Sequence, residues 1–159
     1  DGLNGGGLHI HKSGGRLNPH LDYSIHPKLG LQRKLNIIIY LNSVWNKDWG
    51  GDLGLWDTDP NHNSPGKIVK RIKPIFNSAV IFDTTQNSWH GMVGDINSPP
   101  GQYRKSLALY YLTDPPENSE KRGKALFSPT EEQKGNKEIE ELIKKRSSEV
   151  FASSVYQKK

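Results

Sequence analysis

Residues 8–113 predict a mainly β fold, because three features coincide. The apolar residues come in short blocks, such as LNIIIYL and SLALYYL, that are long enough for a strand and too short for most helices. Gly, Pro and Asn punctuate the chain between those blocks. No run of helical periodicity separates one block from the next, so alternating β–α units are excluded and an antiparallel sandwich or barrel remains. About eight antiparallel strands satisfy a double-stranded β-helix, the jelly roll, with a short C-terminal helix added.

The elements follow in order. LHIHK is a first strand, closed by SGG, and RLNPHLDYS is a second. KLNIIIYLN carries three consecutive β-branched isoleucines, which suit a pleated, half-buried surface. The polar turn VWNKDWGG leads to DLGLWD, and the loop TDPNHNSPG leads to KIVKRIKP, where apolar and basic residues alternate. SAVIFDT, SWHGM and YRKSLALYYLT complete the eight. After Thr113 the chain becomes polar and rich in breakers, DPPENSEKRGK. SPTEEQ reads as a helix start, with Ser128 at the N-cap and Pro129 in the first turn. Ile139, Leu142 and Ile143 recur at i, i+3, i+4, so NKEIEELIKKR predicts a short amphipathic helix, acidic first and basic last as the helix dipole favours. We therefore expect a core over residues 1–113, then a polar linker and helix over residues 114–159, packed on or beside it.

Composition removes several functions. The chain has no cysteine, which excludes disulfides, thiolate catalysis and cysteine-ligated metal. Any metal must be held by histidine and carboxylate. Twenty-two Lys and Arg against 17 Asp and Glu give a net charge of +5, but the two signs are interspersed. A solvated surface accounts for that charge better than a nucleic-acid partner. No run reaches membrane-spanning length and no signal peptide is recognisable, so no membrane partner and a cytoplasmic setting are expected. The chain begins at Asp1 rather than Met, and we expect it to come from a longer product.

The residues that carry chemistry start with His20-Leu21-Asp22. Positions i and i+2 of a strand share a face, so the imidazole and the carboxylate can converge on one ion. His90, in NSWHGM, is the candidate third ligand. Two histidines and one carboxylate on one side of an ion leave the opposite positions open, which suits non-haem iron(II). Each piece alone is weak, since a His beside an Asp is more often a surface salt bridge. Arg104 opens the last strand of the core. Pointing into an apolar barrel, it would carry an uncompensated charge, and a dicarboxylate such as 2-oxoglutarate would compensate it through a bidentate pair. Ser106 lies on the same face and can add a hydroxyl.

The order SGGRLNPHLDYS, RKLNIIIYLN, WGGDLGLWD, WHGM, YRKSLALYYL resembles the 2-oxoglutarate/iron(II) oxygenase superfamily, and its prolyl-4-hydroxylase-like branch in particular. The resemblance spans about residues 8 to 113. It implies iron(II), 2-oxoglutarate and O2, with oxidative decarboxylation of 2-oxoglutarate to succinate coupled to hydroxylation of a C–H bond. The substrate it implies is a small molecule or a prolyl or other peptidyl group. It further implies that His20, Asp22 and His90 ligate iron and that Arg104 pairs with the distal carboxylate of 2-oxoglutarate. Tyr40 matches a tyrosine that helps hold that carboxylate, with a plain core aromatic as the competing reading. His11 falls where many relatives have a tyrosine near the co-substrate. Gly50 and Gly51 match paired glycines with a structural role.

Two absences narrow the family further. Related halogenases carry a small residue where Asp22 stands. Related nucleobase repair enzymes carry a second arginine where this chain has Tyr110. The competing class is a cupin-like jelly roll that binds metal and a small molecule or sugar without using 2-oxoglutarate. Among the remaining side chains, His62 reads as a solvated loop histidine and Trp89 as a packing residue. Trp45 and Trp49 read as a substrate rim, and Arg16 and Arg33 as surface ion pairs.

Overall fold

The computed structural model describes residues 6–26, 28–85 and 87–147. All eight expected strands form: β1 Gly7–His11, β2 His20–Leu21, β3 Gln32–Tyr40, β4 Asp52–Asp59, β5 Ser64–Ile72, β6 Ala79–Asp83, β7 His90–Val93 and β8 Arg104–Thr113. A ninth, β9 Leu126–Phe127, was not foreseen. The strands make two sheets, ordered β1-β8-β3-β6 and β5-β4-β7-β2-β9, and every pairing is antiparallel. This is the double-stranded β-helix.

Local chemistry explains the joints. The β4–β5 hairpin closes where Asp59 Oδ1 accepts the Asn61 N–H at 2.8 Å, and Asn63 takes a positive φ of 45°. β3 contains a bulge: Arg33 pairs with Leu112 and Leu35 with Tyr111, so Lys34 is the extra residue. The SPTEEQ segment does not start the helix as expected. It holds only a short 3-10 turn at Glu131–Gln133, and α1 runs Lys137–Ser147. Gly135, at φ +82°, breaks the chain between them, and Asn136 Oδ1 accepts from the N–H groups of Glu138 and Ile139. No described helix is long and apolar enough to cross a membrane.

The core lies between the sheets. Tyr40 and Ala108 face it from one side, and Leu21, Leu53 and Met92 from the other. A row of polar residues is buried with them: His20, Asp22, Arg33, Asn36, His90, Arg104 and Ser106. Polar side chains seldom sit there without partners, so this row marks the site.

Candidate metal and co-substrate site

The two short strands β2 and β7 pair at His20↔His90, which sets the two imidazoles side by side, with ring centroids 4.3 Å apart. Asp22 follows β2 two residues after His20. One ligand atom from each of the three residues lies within 4.8 Å of the others, and all three residues are buried. His20 Nδ1–H donates to the Asn18 carbonyl at 3.0 Å, and His90 Nδ1–H donates to the Ser88 carbonyl at 2.9 Å. A carbonyl only accepts, so these bonds put the proton on Nδ1 and leave Nε2 facing Asp22. His20 Nε2 stands 3.7 Å from Oδ1, and His90 Nε2 stands 3.6 Å from Oδ2. Both distances are too long for a hydrogen bond, and Oδ2 has no hydrogen-bond partner. Burial, and then the neighbouring His90, push the His20 pKa down to about 4. A neutral imidazole therefore turns its lone pair towards a carboxylate, which is repulsive until a cation lies between them. The donor set of two nitrogens and one oxygen, with no thiolate, fits iron(II).

Arg33 was expected at the surface, and the structure corrects that reading. Only 4% of it is exposed, its Nη1 lies 3.4 Å from Asp22 Oδ1, and its guanidinium is held between the rings of Tyr23 and Tyr110, 3.6 Å from each centroid. The bulge in β3 is the cause. Strict alternation would place Arg33 outside with Leu35, whereas the extra residue turns it to the inner face. No sequence signal for the bulge was visible. Phe82, across from Asn36 on β6, packs against the other side of His90 at 4.8 Å.

Arg104 stands at the far end of the inner face of β8, with Ser106, Ala108 and Tyr110 leading back towards Arg33. It too is only 4% exposed. Its Nε–H donates to the Gly51 carbonyl at 2.7 Å, and its Nη1 lies 3.5 Å from Ser106 Oγ. Burial lowers its pKa, partly offset by Tyr40 and by Asp52, yet an arginine stays charged. No described carboxylate forms an ion pair with it. Register brings more groups to the same point: Tyr40 pairs with Ser106, and His11 with Arg104. The Tyr40 hydroxyl and His11 Nδ1 are both buried without hydrogen-bond partners. A buried guanidinium with no carboxylate partner among the described residues, beside a buried hydroxyl, is an arrangement that a carboxylate would complete. Those are the features that 2-oxoglutarate would satisfy.

The remaining candidates separate from this site. His62 is an exposed loop residue 2.9 Å from Asp59, as expected. His26 Nδ1 accepts the Lys28 and Leu29 N–H groups and closes a turn. Arg16 makes a two-pronged exposed pair with Asp95, and Trp89 is buried. Trp45, expected with Trp49 at a substrate rim, lines a cavity of about 360 Å³ with Lys47, Asp52 and Phe76.

Comparison with known proteins bears on the chemistry. The 2OG-Fe(II) oxygenase superfamily matches residues 6–111. Prolyl 3-hydroxylase OGFOD1 of Mus musculus is 36% identical over 87 residues, 53% of this chain and 16% of that protein. The Xenopus laevis protein of the same name is 41% identical over 79 residues, 50% of this chain and 15% of that one. The chain thus spans about a sixth of the length of these curated relatives. Among solved structures, a Pseudomonas putida prolyl-4-hydroxylase superposes with a TM-score of 0.47 and 21% identity, over 66% of this chain and 49% of that one.

Proposed function

Since the chain belongs to the 2-oxoglutarate/iron(II) oxygenase superfamily, whose members use iron(II), 2-oxoglutarate and O2, we propose that it hydroxylates a prolyl residue of a peptide. His20, Asp22 and His90 hold the metal in this reading. Arg104, with Ser106, Tyr40 and His11, holds the distal carboxylate of the co-substrate. When bound, the metal and 2-oxoglutarate supply the oxidation, in which decarboxylation to succinate is coupled to insertion of oxygen into a C–H bond. The protein's part is orientation. The Asn18 and Ser88 carbonyls keep both Nε2 atoms aimed at one point, and Phe82 keeps water from one face of His90. The residues that follow residue 113 are read as an appendage to this core rather than a separate catalytic unit.

One observation carries the reading: a buried arginine with no carboxylate partner among the described residues shares a barrel interior with a histidine–aspartate–histidine cluster. A metal-binding jelly roll with no co-substrate would leave that buried charge without a counter-ion. The prolyl substrate is supported by the names of the curated relatives, which favour the 3-position of the ring.

The test begins without oxygen. Iron(II) followed by 2-oxoglutarate should give a weak visible charge-transfer band that needs both additions and is lost in Arg104→Ala. Peptides containing proline should then gain one oxygen atom, with succinate released, and the modified ring position identifies the product. Iron bound with no band on adding 2-oxoglutarate would overturn the co-substrate site and leave the cupin-like binder.

A further inference from the structure

Residues 120–133 run beside residues 18–24, which carry two of the three cluster residues, and bond to them at several points. Ser24 N–H donates to the Arg122 carbonyl at 2.8 Å, and Arg122 N–H donates to Ser24 Oγ at 2.7 Å. Arg122 Nε–H donates to the Asp22 carbonyl at 2.8 Å. β9 then pairs with β2, Leu126 with Leu21 and Phe127 with His20. Ser128 N–H reaches the Pro19 carbonyl at 2.9 Å, and the Asn18 side-chain amide donates to Gln133 Oε1 at 2.6 Å. This segment lies beyond residues 6–111, so the superfamily match assigns it no role.

Two of these contacts bear on His20, one directly and one through Asn18. The Phe127 ring lies over the imidazole, with centroids 5.0 Å apart and planes at 23°, and His90 takes the other side. That arrangement leaves the ring little freedom to turn about χ2. Gln133, itself buried, holds the side chain of Asn18, and the main-chain carbonyl of Asn18 receives His20 Nδ1–H. One contact lies against the plane of the ring, and the other steadies the residue whose main-chain carbonyl receives the ring N–H.

We propose that residues 120–133 form a strap belonging to the metal site, in which Phe127 and Gln133 are positioning residues for His20. The proposal rests on the reading of His20, Asp22 and His90 as metal ligands. A bland alternative exists: β2 would otherwise be a sheet edge, and a strap could merely cover it. Edge cover needs only backbone pairing. It requires neither an aromatic ring stacked on the imidazole nor a buried amide behind Asn18. Partners that orient a metal-bound histidine typically change metal affinity by about 10–100-fold when removed.

The experiment measures iron(II) affinity anaerobically on the whole chain, together with the visible spectrum of the cobalt(II) form. Four variants are compared: Phe127→Ala, Phe127→Leu, Gln133→Ala, and Lys134→Ala, which removes an exposed ion pair to Glu131 of the strap. Unfolding midpoints and far-UV circular dichroism identify the variants that remain folded at the working temperature. We expect Phe127→Ala and Gln133→Ala to weaken metal binding about tenfold or more. Phe127→Leu keeps apolar bulk but lacks a flat ring, so it should stay folded, bind more weakly and shift the cobalt bands. Lys134→Ala should match the wild type. If Phe127→Ala is too unstable to titrate, Phe127→Leu and Gln133→Ala decide the matter. Metal affinity and cobalt spectra equal to wild type in both would overturn the strap and leave edge cover. A wild type that binds neither metal would instead overturn the ligand assignment on which the proposal rests.

Discussion

At His20 the protein withholds a proton that the unfolded chain would accept, and stability should register the difference. The imidazole titrates near its ordinary 6.5 when unfolded and near 4 when folded, chiefly because it is buried. Below pH 6.5 the unfolded state binds the proton and the folded state does not. Stability from this group is therefore fully present above about pH 6.5 and falls as the pH drops towards 4, with no further loss below that. At roughly 1.4 kcal/mol per pH unit, the loss comes to about 3 kcal/mol. Urea unfolding of the metal-free protein between pH 7 and 4 should show this slope, and His20→Asn should remove most of it. An identical slope in the variant would mean that other groups cause it. Arg33 belongs to the same scale: a cation on Asp22 Oδ1, clamped by two tyrosines, leaves Oδ2 as the open oxygen of the carboxylate.

Strands and turns place these groups, and Gly51 shows how closely. Its φ is +76°, a region that disfavours side chains. A Cβ built there would meet Arg104 Cδ at 2.9 Å and Ile96 Cγ1 at 3.2 Å. The same residue's carbonyl accepts the Arg104 Nε–H. Gly51→Ala should therefore cost about 1–3 kcal/mol of stability and also displace the guanidinium. Loss of one charged hydrogen bond would raise the 2-oxoglutarate concentration for half-saturation about tenfold. Isothermal titration with 2-oxoglutarate at a temperature where the variant is folded separates the two effects. Unchanged affinity would show that Arg104 tolerates the shift. The bulge in β3 works at this scale as well, since one extra residue converts an outward arginine into an inward one.

For the whole molecule, the interior holds two opposing groups of polar atoms that burial has already desolvated. Ligands that pair with them bind the folded state alone. At a hundredfold excess over its dissociation constant, one such ligand adds about 2.7 kcal/mol. A domain of this size should then melt roughly 5–10 °C higher. A melting scan should show one rise with iron(II) and a further rise when 2-oxoglutarate follows. Arg104→Ala should keep the first rise and lose the second. An equal second rise in that variant would place the co-substrate elsewhere.

Periodicity and punctuation alone determined the eight strands, because a strand that buries one face must alternate and must stop at residues that cannot pair. They also determined that His20 and Asp22 share a face and that Arg104 and Ser106 do, since both pairs are two residues apart. Three things were decided only by the tertiary structure. The face taken by Arg33 depends on a bulge, which is set by cross-strand register and leaves no local mark in LQRKLN. The ninth strand depends on two residues, Leu126 and Phe127, that have no strand pattern of their own and are extended only because β2 offers an unpaired edge. The helix start moved from Ser128 to Lys137 because the intervening residues are bound to Pro19 and Asn18 instead. In each case the controlling interaction joins residues far apart in sequence, where local composition carries no information.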